Sequence, residues 1–149
     1  MSKLIKKFSV KNKALFLDRD GVINEDYGHV YQINKFHLID NIQILIKQAM
    51  VSDYKIIIIT NQAGIGKGLY SNDDFQKLTK HMKYLFLRHD CHIDAVYHCP
   101  FHPTEGVGIY LNDSYDRKPN PGMLLKAQKD FNLDMNKSIF IGDKISDIE

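Results

Sequence analysis

The stretch Ala14-Leu15-Phe16-Leu17-Asp18-Arg19-Asp20-Gly21-Val22-Ile23-Asn24 decides the fold of this chain. Four apolar residues end abruptly in charge, which is typical of a buried strand of a parallel sheet at its carboxyl end. In such sheets, ligands bind beyond the carboxyl ends of the strands. Asp18 and Asp20 are two residues apart, so a continuing strand points both carboxylates to the same side. The stretch therefore predicts a central strand that carries a two-carboxylate site at its end.

Strands and helices alternate along the rest of the chain. The strongest strand signal is the β-branched run at residues 55–60, and shorter strand candidates lie at residues 94–97 and 138–141. Helices are predicted from residue 42, with Asp40 as N-cap, from Ser71, with a variant capping box to Asp74, and from Pro121. This alternation predicts an α/β fold with a central parallel sheet covered by helices on both faces.

Length and composition indicate one ordinary globular domain. The chain has 149 residues, 44% of them hydrophobic, and we predict a single domain over residues 1–149 with a lead-in at residues 1–13.

A formal net charge of +2 argues against nucleic acid or an acidic membrane as partner. No apolar run is long enough for a membrane span, and two cysteines make no disulfide framework. We expect a cytoplasmic monomer.

Polar residues follow the other predicted strands and suggest what the two carboxylates do. Thr60 ends one strand, Asp143 follows another, and Lys118 precedes a helix. One carboxylate of the first pair can act as nucleophile while the other transfers protons. Asp143 can join Asp18 in holding Mg²⁺, which prefers oxygen ligands and bound phosphate. Lys118 and the Thr60 hydroxyl can stabilise phosphoryl oxygens, so the set predicts phosphate-ester chemistry.

Each of these residues also has a simpler interpretation when it is taken alone. A lone Asp-x-Asp is usually a solvated turn, Lys118 a surface lysine, and Asp143 a turn residue or helix cap. The glycines of residues 64–68 suggest a nucleotide-binding loop, but the spacing of a P-loop and of a dinucleotide fingerprint is absent. What favours a site is that the candidates occur in order, each at a predicted strand end or helix start.

Four groups of residues resemble the motifs of haloacid dehalogenase phosphatases. They are Asp18-Arg19-Asp20-Gly21-Val22-Ile23-Asn24, Thr60-Asn61-Gln62, Arg117-Lys118-Pro119 and Gly142-Asp143-Lys144. A closer resemblance to the heptose bisphosphate phosphatases of this superfamily adds Asp26 to Val30, Asn61 to Ile65, Cys99-Pro100 and Arg117 to Met123. It extends from about Ala14 to Glu149. Histidinol-phosphate phosphatases share many of these motifs, so the motifs indicate the superfamily and leave the substrate open.

The resemblance implies a fold and a mechanism. It implies a Rossmann-like domain with a small flap over the site at residues 21–36 and no large cap domain. Asp18 would form an aspartyl-phosphate, Asp20 would act as acid and then base, and Lys118 and Thr60 would stabilise the phosphoryl group. Mg²⁺ would be held by Asp18, the main-chain carbonyl of Asp20 and Asp143. Contacts to a small phosphosugar substrate would come from Asp26, Tyr27, Gly28, His29, Asn61, Gln62, Ala63, Arg117 and Lys144.

The chain departs from the family pattern in the loop before Lys118. Many relatives hold a structural zinc there with a Cys-x-His pair followed by Cys-x-Cys. Cys99 is present, but Phe101, Ser114 and Asp116 stand at the other three positions. His102, one place late, is a weak replacement, because a structural zinc normally needs four nitrogen or sulfur ligands. We expect no zinc, with Cys99 and His102 as the weak candidates for ligands.

The second departure is at the carboxyl end. Glu149 follows directly after the last motif, whereas relatives continue with a helix and at least one more strand. We therefore expect the C-terminal part of the fold to be missing and apolar surface on the sheet to be exposed.

Three functions stay open on the sequence. They are a phosphatase of heptose 1,7-bisphosphate, a phosphatase of histidinol phosphate or another small ester, and a catalytically silent remnant that binds a phosphosugar or a partner protein.

Overall fold

The computed structural model describes residues 10–147 and contains one parallel sheet. Its strands are β1 (Lys13–Leu17), β2 (Tyr54–Asn61), β3 (Ala95–Cys99) and β4 (Ile139–Ile141), in the spatial order β3-β2-β1-β4. The longer helices are α1 (Ile42–Val51), α2 (Ala63–Gly66), α3 (Asn72–Leu87) and α4 (Gly122–Phe131). Single 3₁₀ turns lie at Ile33–Lys35, Gly108–Tyr110, Met135–Lys137 and Ile145–Asp147. The predicted α/β fold with a central parallel sheet is confirmed.

The strand register brings three strand ends together at one edge of the sheet. Leu17 at the end of β1 is aligned with Ile58 of β2 and Ile141 of β4. The Asp18 amide then donates to the Ile141 carbonyl at 3.0 Å, which ties the first candidate carboxylate to the end of β4. Since parallel strands end at the same edge, the residues that follow them meet there.

Each face of the sheet is covered by helices. Alternate residues of a strand point to opposite faces, so Leu15 and Ile58 join a core with Ile46 of α1 and Met82 of α3. The other face of the sheet packs against α4. Its core contains Ala14, Phe16, Ile57, Ile59, Met123 and Ala127. These two cores hold β1 and β2 rigidly, and therefore fix the residues at their ends.

The predicted helix starts are partly right. α3 begins at a capping box in which the Ser71 side chain accepts from the Asp74 amide and the Asp74 carboxylate accepts from the Ser71 amide. The prediction that Asp40 caps α1 is wrong, because Asn41 occupies the N-cap with a positive φ of 66°. Asparagine tolerates this left-handed backbone better than most residues.

The end of the predicted amino-terminal lead-in belongs to the folded domain. Lys13 is the first residue of β1, and the Asn12 amide donates to the Asn132 carbonyl at 3.0 Å. Lys13 therefore belongs to the sheet and Asn12 contacts the segment after α4, whereas residues 1–9 lie outside the described part of the chain.

The segment expected to form a flap, residues 21–36, folds back beside the carboxyl edge. Val30 and Phe36 are buried in the core next to α1 and anchor it. A bridge between Asn24 and Leu38 closes the turn. The segment thus borders the site while its own apolar residues hold it to the domain.

An apolar hollow of about 210 Å³ lies beside β4. Leu15, Leu45, Ala49, Tyr54, Ile139 and Ile141 contribute to its wall. Ile139 is 48% exposed, so the apolar surface expected at this side of the sheet is present. Within residues 10–147, no helix has the length and apolar character needed to cross a membrane.

We predict that Ile57→Ala lowers the free energy of unfolding by about 2–5 kcal/mol, because the Ile57 side chain of β2 is fully buried and its loss opens a cavity in the core. Urea denaturation at constant temperature measures this change. The matched control is Ile44→Ala on the exposed side of α1, which we expect to change stability by less than about 0.5 kcal/mol. Equal effects of the two changes would contradict the core assignment.

Candidate active site

Asp18 lies at the buried end of β1 and faces a lysine. Its side chain is almost inaccessible, and one carboxylate oxygen accepts from the Arg19 amide at 2.8 Å. The Lys118 ammonium lies 3.1 Å from the same oxygen. Burial raises the pKa of Asp18 above its usual value, while the positive charge of Lys118 opposes that rise. The pair provides a carboxylate with a charge partner directly at the sheet edge.

Contacts to both the backbone and the side chain of Lys118 hold it in place. The Asn61 side-chain nitrogen donates to the Lys118 backbone carbonyl at 3.1 Å. The Lys118 backbone amide donates to the Asn61 side-chain oxygen at 3.0 Å. The ammonium forms an ion pair with Asp147 as well as with Asp18, and it lies 5.6 Å from the Phe140 ring centre. Asn61, at the end of β2, therefore fixes the loop that carries the lysine.

Asp20 sits in a cage of hydrogen-bond donors. Arg19 contacts it through two guanidinium nitrogens at 2.8 and 3.2 Å, and the Asn24 amide donates to it at 3.0 Å. The Gln62 amide nitrogen donates to its other oxygen at 3.0 Å and to the Thr60 hydroxyl at 2.9 Å. These donors orient the Asp20 carboxylate independently of Asp18.

A group of three carboxylates forms the candidate metal centre. One oxygen from each of Asp18, Asp143 and Asp147 lies within 4.8 Å of the others. Such a set of oxygen ligands suits a hard cation such as Mg²⁺ and does not suit a soft one. Within residues 10–147, this is the one cluster of three or more His, Cys, Asp or Glu residues arranged in this way.

Two glycines allow the acidic residues to approach each other. Gly21 has a φ of +87°, and a Cβ there would overlap the Asp143 carboxylate. A Cβ on Gly142 would overlap the Asp147 side chain. Both positions therefore require glycine for close approach, and the first also for its left-handed backbone.

A polar cavity of about 310 Å³ opens over Asp20. Every predicted substrate contact except Tyr27 contributes to its wall, namely Asp26, Gly28, His29, Asn61, Gln62, Ala63, Arg117 and Lys144. The Tyr27 ring is 64% exposed, and its hydroxyl donates to Glu25 outside this cavity. The structure thus brings together all but one of the predicted substrate residues.

Some of these cavity residues already have protein partners. The Lys144 ammonium lies 3.2 Å from the Asp26 carboxylate, and the pKa of Asp26 is lowered because the Gly28 amide and Lys144 outweigh partial burial. One guanidinium nitrogen of Arg117 donates to the Phe101 carbonyl at 3.3 Å. Cations are therefore placed on the cavity wall by specific contacts.

The residues at the expected zinc position do not fit a zinc site. Cys99 and His102 belong to no group of three potential ligands in the described part of the chain. The His102 Nδ1 accepts from the Glu105 amide at 3.0 Å and from the Thr104 amide at 3.3 Å. The loop is held instead by protein contacts, including the rings of Phe101 and Tyr110 at 5.7 Å.

Sequence reasoning missed the place of three residues in this site. Asp147 follows the last motif by a few residues, was not predicted as a site residue, and joins the acidic cluster. Tyr70 lines the cavity and donates its hydroxyl hydrogen to the Gln62 side-chain oxygen. Lys67 also lines the cavity. A glycine-flanked lysine directly after a strand-end motif was the available signal for Lys67, whereas the tertiary contacts of Tyr70 leave no local pattern.

Comparison with known proteins gives the family. The family model described as polynucleotide kinase 3 phosphatase matches residues 14–147. A D-glycero-alpha-D-manno-heptose-1,7-bisphosphate 7-phosphatase of Burkholderia mallei is 54% identical over 94% of this chain and 74% of its own length. The chain belongs to the haloacid dehalogenase phosphatases. Within them, this identity places it in the family of heptose bisphosphate phosphatases, which confirms the resemblance seen in the motifs.

Two further proteins extend the comparison. A D-glycero-beta-D-manno-heptose-1,7-bisphosphate 7-phosphatase of Haemophilus influenzae is 42% identical over 93% of this chain and 74% of its own length. The solved structure of a D,D-heptose 1.7-bisphosphate phosphatase from B. bronchiseptica, complexed with magnesium and phosphate, matches with a TM-score of 0.80. At 24% identity over 91% of this chain and 72% of that one, it supports the fold.

We predict that Gln62→Leu lowers kcat for p-nitrophenyl phosphate about tenfold and changes KM little, because Asp20 loses a donor that orients it. Steady-state kinetics with Mg²⁺ measure both constants. Gln48→Leu, at an exposed position of α1, is the matched control and is expected to behave as the unaltered chain. A rise in KM with unaltered kcat would instead identify Gln62 as a substrate contact.

Proposed function

We propose that this chain hydrolyses the 7-phosphate ester of D-glycero-D-manno-heptose 1,7-bisphosphate with the help of Mg²⁺. The observation that carries the proposal is the buried Asp18 with Lys118 at 3.1 Å, beside a separately oriented Asp20 and a cluster of carboxylate oxygens. The names of the relatives point to the same substrate.

Asp18 serves as the nucleophile in this proposal. One of its carboxylate oxygens attacks phosphorus, a new P–O bond forms, and the bond from phosphorus to the sugar oxygen breaks. Burial at the sheet edge keeps bulk water from the carboxylate, and the alignment of β1 with β4 fixes its position. Lys118 then lies close enough to share the charge of the phosphoryl oxygens, and the Thr60 hydroxyl is a further donor.

Asp20 serves as the proton carrier. It gives its proton to the departing sugar oxygen and then accepts a proton from the water that attacks the aspartyl-phosphate. This second attack breaks the P–O bond to Asp18, releases phosphate and regenerates the nucleophile. Arg19, Asn24 and Gln62 hold the Asp20 carboxylate toward the cavity. Asp20 can therefore protonate the departing sugar oxygen and deprotonate the attacking water without reorienting.

Mg²⁺ fits the donors present at the carboxyl edge. Asp18, Asp143 and the main-chain carbonyl of Asp20 would hold it, with Asp147 as an additional carboxylate. When bound, it neutralises negative charge on the phosphate and on the carboxylates around it. This set of oxygen ligands supports Mg²⁺ as the cofactor.

The cavity suits a phosphorylated sugar. Its wall combines the cations Arg117 and Lys144 with hydroxyl-binding groups such as the Asp26 carboxylate and the His29 ring. Arginine can bind a phosphate with two parallel hydrogen bonds. We propose these residues, with Gly28, Ala63 and the backbone near Asn61, as the substrate contacts.

We also propose that the chain acts as one domain in the cytoplasm. The sheet and its two cores form one continuous unit over the described residues. Cys91 and Cys99 are both free and buried, which suits a reducing compartment.

We predict that Asp18→Asn lowers the rate of phosphate release from heptose 1,7-bisphosphate at least about a thousandfold, because an amide cannot form the aspartyl-phosphate. A phosphate assay with Mg²⁺ and circular dichroism of the variant measure activity and folding. The control is Asp90→Asn at an exposed turn, which should leave release unaffected. A panel with histidinol phosphate decides the substrate, and release that survives in Asp18→Asn contradicts the nucleophile.

We predict that Asp143→Asn and Asp147→Asn each raise the Mg²⁺ concentration for half-maximal activity about tenfold or more, because each removes a charged oxygen ligand. Titration of the metal-free protein with Mg²⁺, followed by phosphate release, measures the shift. Asp73→Asn, at an exposed position of α3, provides the control. If all three variants need the same Mg²⁺ concentration for half-maximal activity, this cluster is excluded as the magnesium site.

A further inference from the structure

The side-chain amide of Gln62 connects two residues of the proposed reaction. Its nitrogen donates to the Asp20 carboxylate at 3.0 Å and to the Thr60 hydroxyl at 2.9 Å. An ionised carboxylate only accepts hydrogen bonds, so the amide nitrogen must lie on this side and the amide oxygen on the other. Gln62 is buried, and bulk water therefore does not replace a partner that it loses. The orientation of this one amide thus acts on both Asp20 and Thr60.

The amide oxygen of Gln62 accepts from the Tyr70 hydroxyl. Because the amide nitrogen is turned toward Asp20 and Thr60, the hydroxyl must be the donor in this contact. Burial raises the pKa of Tyr70 to about 12, so the hydroxyl keeps its hydrogen at neutral pH. Tyr70 therefore supplies a lasting donor to the amide oxygen.

Packing around the aromatic ring fixes the position of the Tyr70 hydroxyl. The ring forms a small apolar core with Ile65 and Phe75. The Tyr31 ring is stacked on it, with ring centres 5.1 Å apart and an angle of 6° between the planes. The ring also lies against Gly64, where a Cβ would overlap it. The ring has little room to move, and its hydroxyl therefore stays beside the amide.

The Tyr70 hydrogen bond matters most when Asp20 carries a proton. A protonated carboxyl group can donate, and an amide oxygen is a good acceptor for its hydrogen. If the Gln62 amide turned over, its oxygen would hold the proton that the departing sugar oxygen needs, and it would also accept the Thr60 hydrogen. The Tyr70 hydroxyl opposes this turn, because its hydrogen would then face the amide nitrogen, which does not accept.

We propose that Tyr70 is a positioning residue that acts through Gln62: its hydroxyl holds the amide in the orientation that leaves the Asp20 proton free for the departing sugar oxygen. This inference rests on the proposed function and deepens it, because it identifies what controls the proton in the step that breaks the ester bond. Tyr70 borders the cavity, but its single hydroxyl hydrogen is given to Gln62. It therefore acts on the reaction through the amide.

Steady-state kinetics of Tyr70→Phe, Gln62→Leu and the double variant test this inference. We expect Tyr70→Phe to lower kcat for p-nitrophenyl phosphate about fivefold and to change KM little, because the ring stays and only the donor is lost. The double variant should have the kcat of Gln62→Leu, about tenfold below the unaltered chain, and not the roughly fiftyfold loss of two independent effects.

A second ester tests the part of the inference that concerns the proton. Tyr70→Phe should lower kcat/KM more for heptose 1,7-bisphosphate than for p-nitrophenyl phosphate. The sugar oxygen needs a proton to leave, whereas nitrophenolate leaves without one. Tyr84→Phe, at an exposed position of α3, is the matched control and should leave both constants unaltered for both esters. Circular dichroism and urea denaturation show whether each variant is folded.

Three outcomes overturn the inference. Losses that multiply in the double variant mean that Tyr70 does not act through Gln62. A rise in KM with unaltered kcat in Tyr70→Phe makes Tyr70 a substrate contact. Equal losses for the two esters mean that Tyr70 does not control the proton on Asp20.

Failure of the proposed function gives a different result. If the unaltered chain releases phosphate from p-nitrophenyl phosphate but not from heptose 1,7-bisphosphate, the proposed substrate is wrong. The double variant then still decides whether Tyr70 acts through Gln62. A folded chain that releases phosphate from neither ester overturns both the proposed function and this inference.

Discussion

The contact between the Lys118 ammonium and the carboxylates of Asp18 and Asp147 is the interaction on which this site depends. One oxygen from each of three carboxylates lies within 4.8 Å of the others at the edge of the sheet, where Asp18 is buried and Asp143 is exposed. Two like charges about 4 Å apart repel by roughly 4 kcal/mol near a protein surface. The positive charge of buried Lys118 offsets part of this repulsion, while burial raises the pKa of Asp18.

This constraint explains the architecture around the lysine. The side chain of Asn61 makes two hydrogen bonds to the backbone of Lys118, so the end of β2 sets the height of the ammonium above the sheet. Gly21 and Gly142 remove the side chains that would keep the carboxylates apart. The rigid cores under β1 and β2 hold these positions, since such close approach tolerates little displacement.

The two catalytic carboxylates are close in sequence, but they have different surroundings. Asp18 faces Lys118 and the acidic cluster, whereas Asp20 is surrounded by the donors of Arg19, Asn24 and Gln62. Different surroundings allow neighbouring acids to take different roles in one reaction. In the loop before Lys118, contacts such as the pairing of the Phe101 and Tyr110 rings hold the chain.

The sequence by itself determined the fold class, the position of the motifs at strand ends or helix starts, and most residues of the candidate site. Short apolar runs ending in charge predict parallel strands, and the parallel register then carries Asp18, Thr60 and Asp143 to one edge. These signals are local, so they can be read without coordinates. The sequence also indicated an incomplete set of zinc ligands, because the residue types at those positions can be read directly from it.

Only the tertiary structure decided which partners these residues have. Gln62 had been predicted as a substrate contact, and its amide also bonds to Asp20 and Thr60. Asp147 entered the acidic cluster because the 3₁₀ turn after β4 returns it to Lys118, and the helix start at Asn41 followed from a left-handed backbone. Contacts between residues distant in the chain depend on packing geometry, and no periodicity or spacing in the sequence records them.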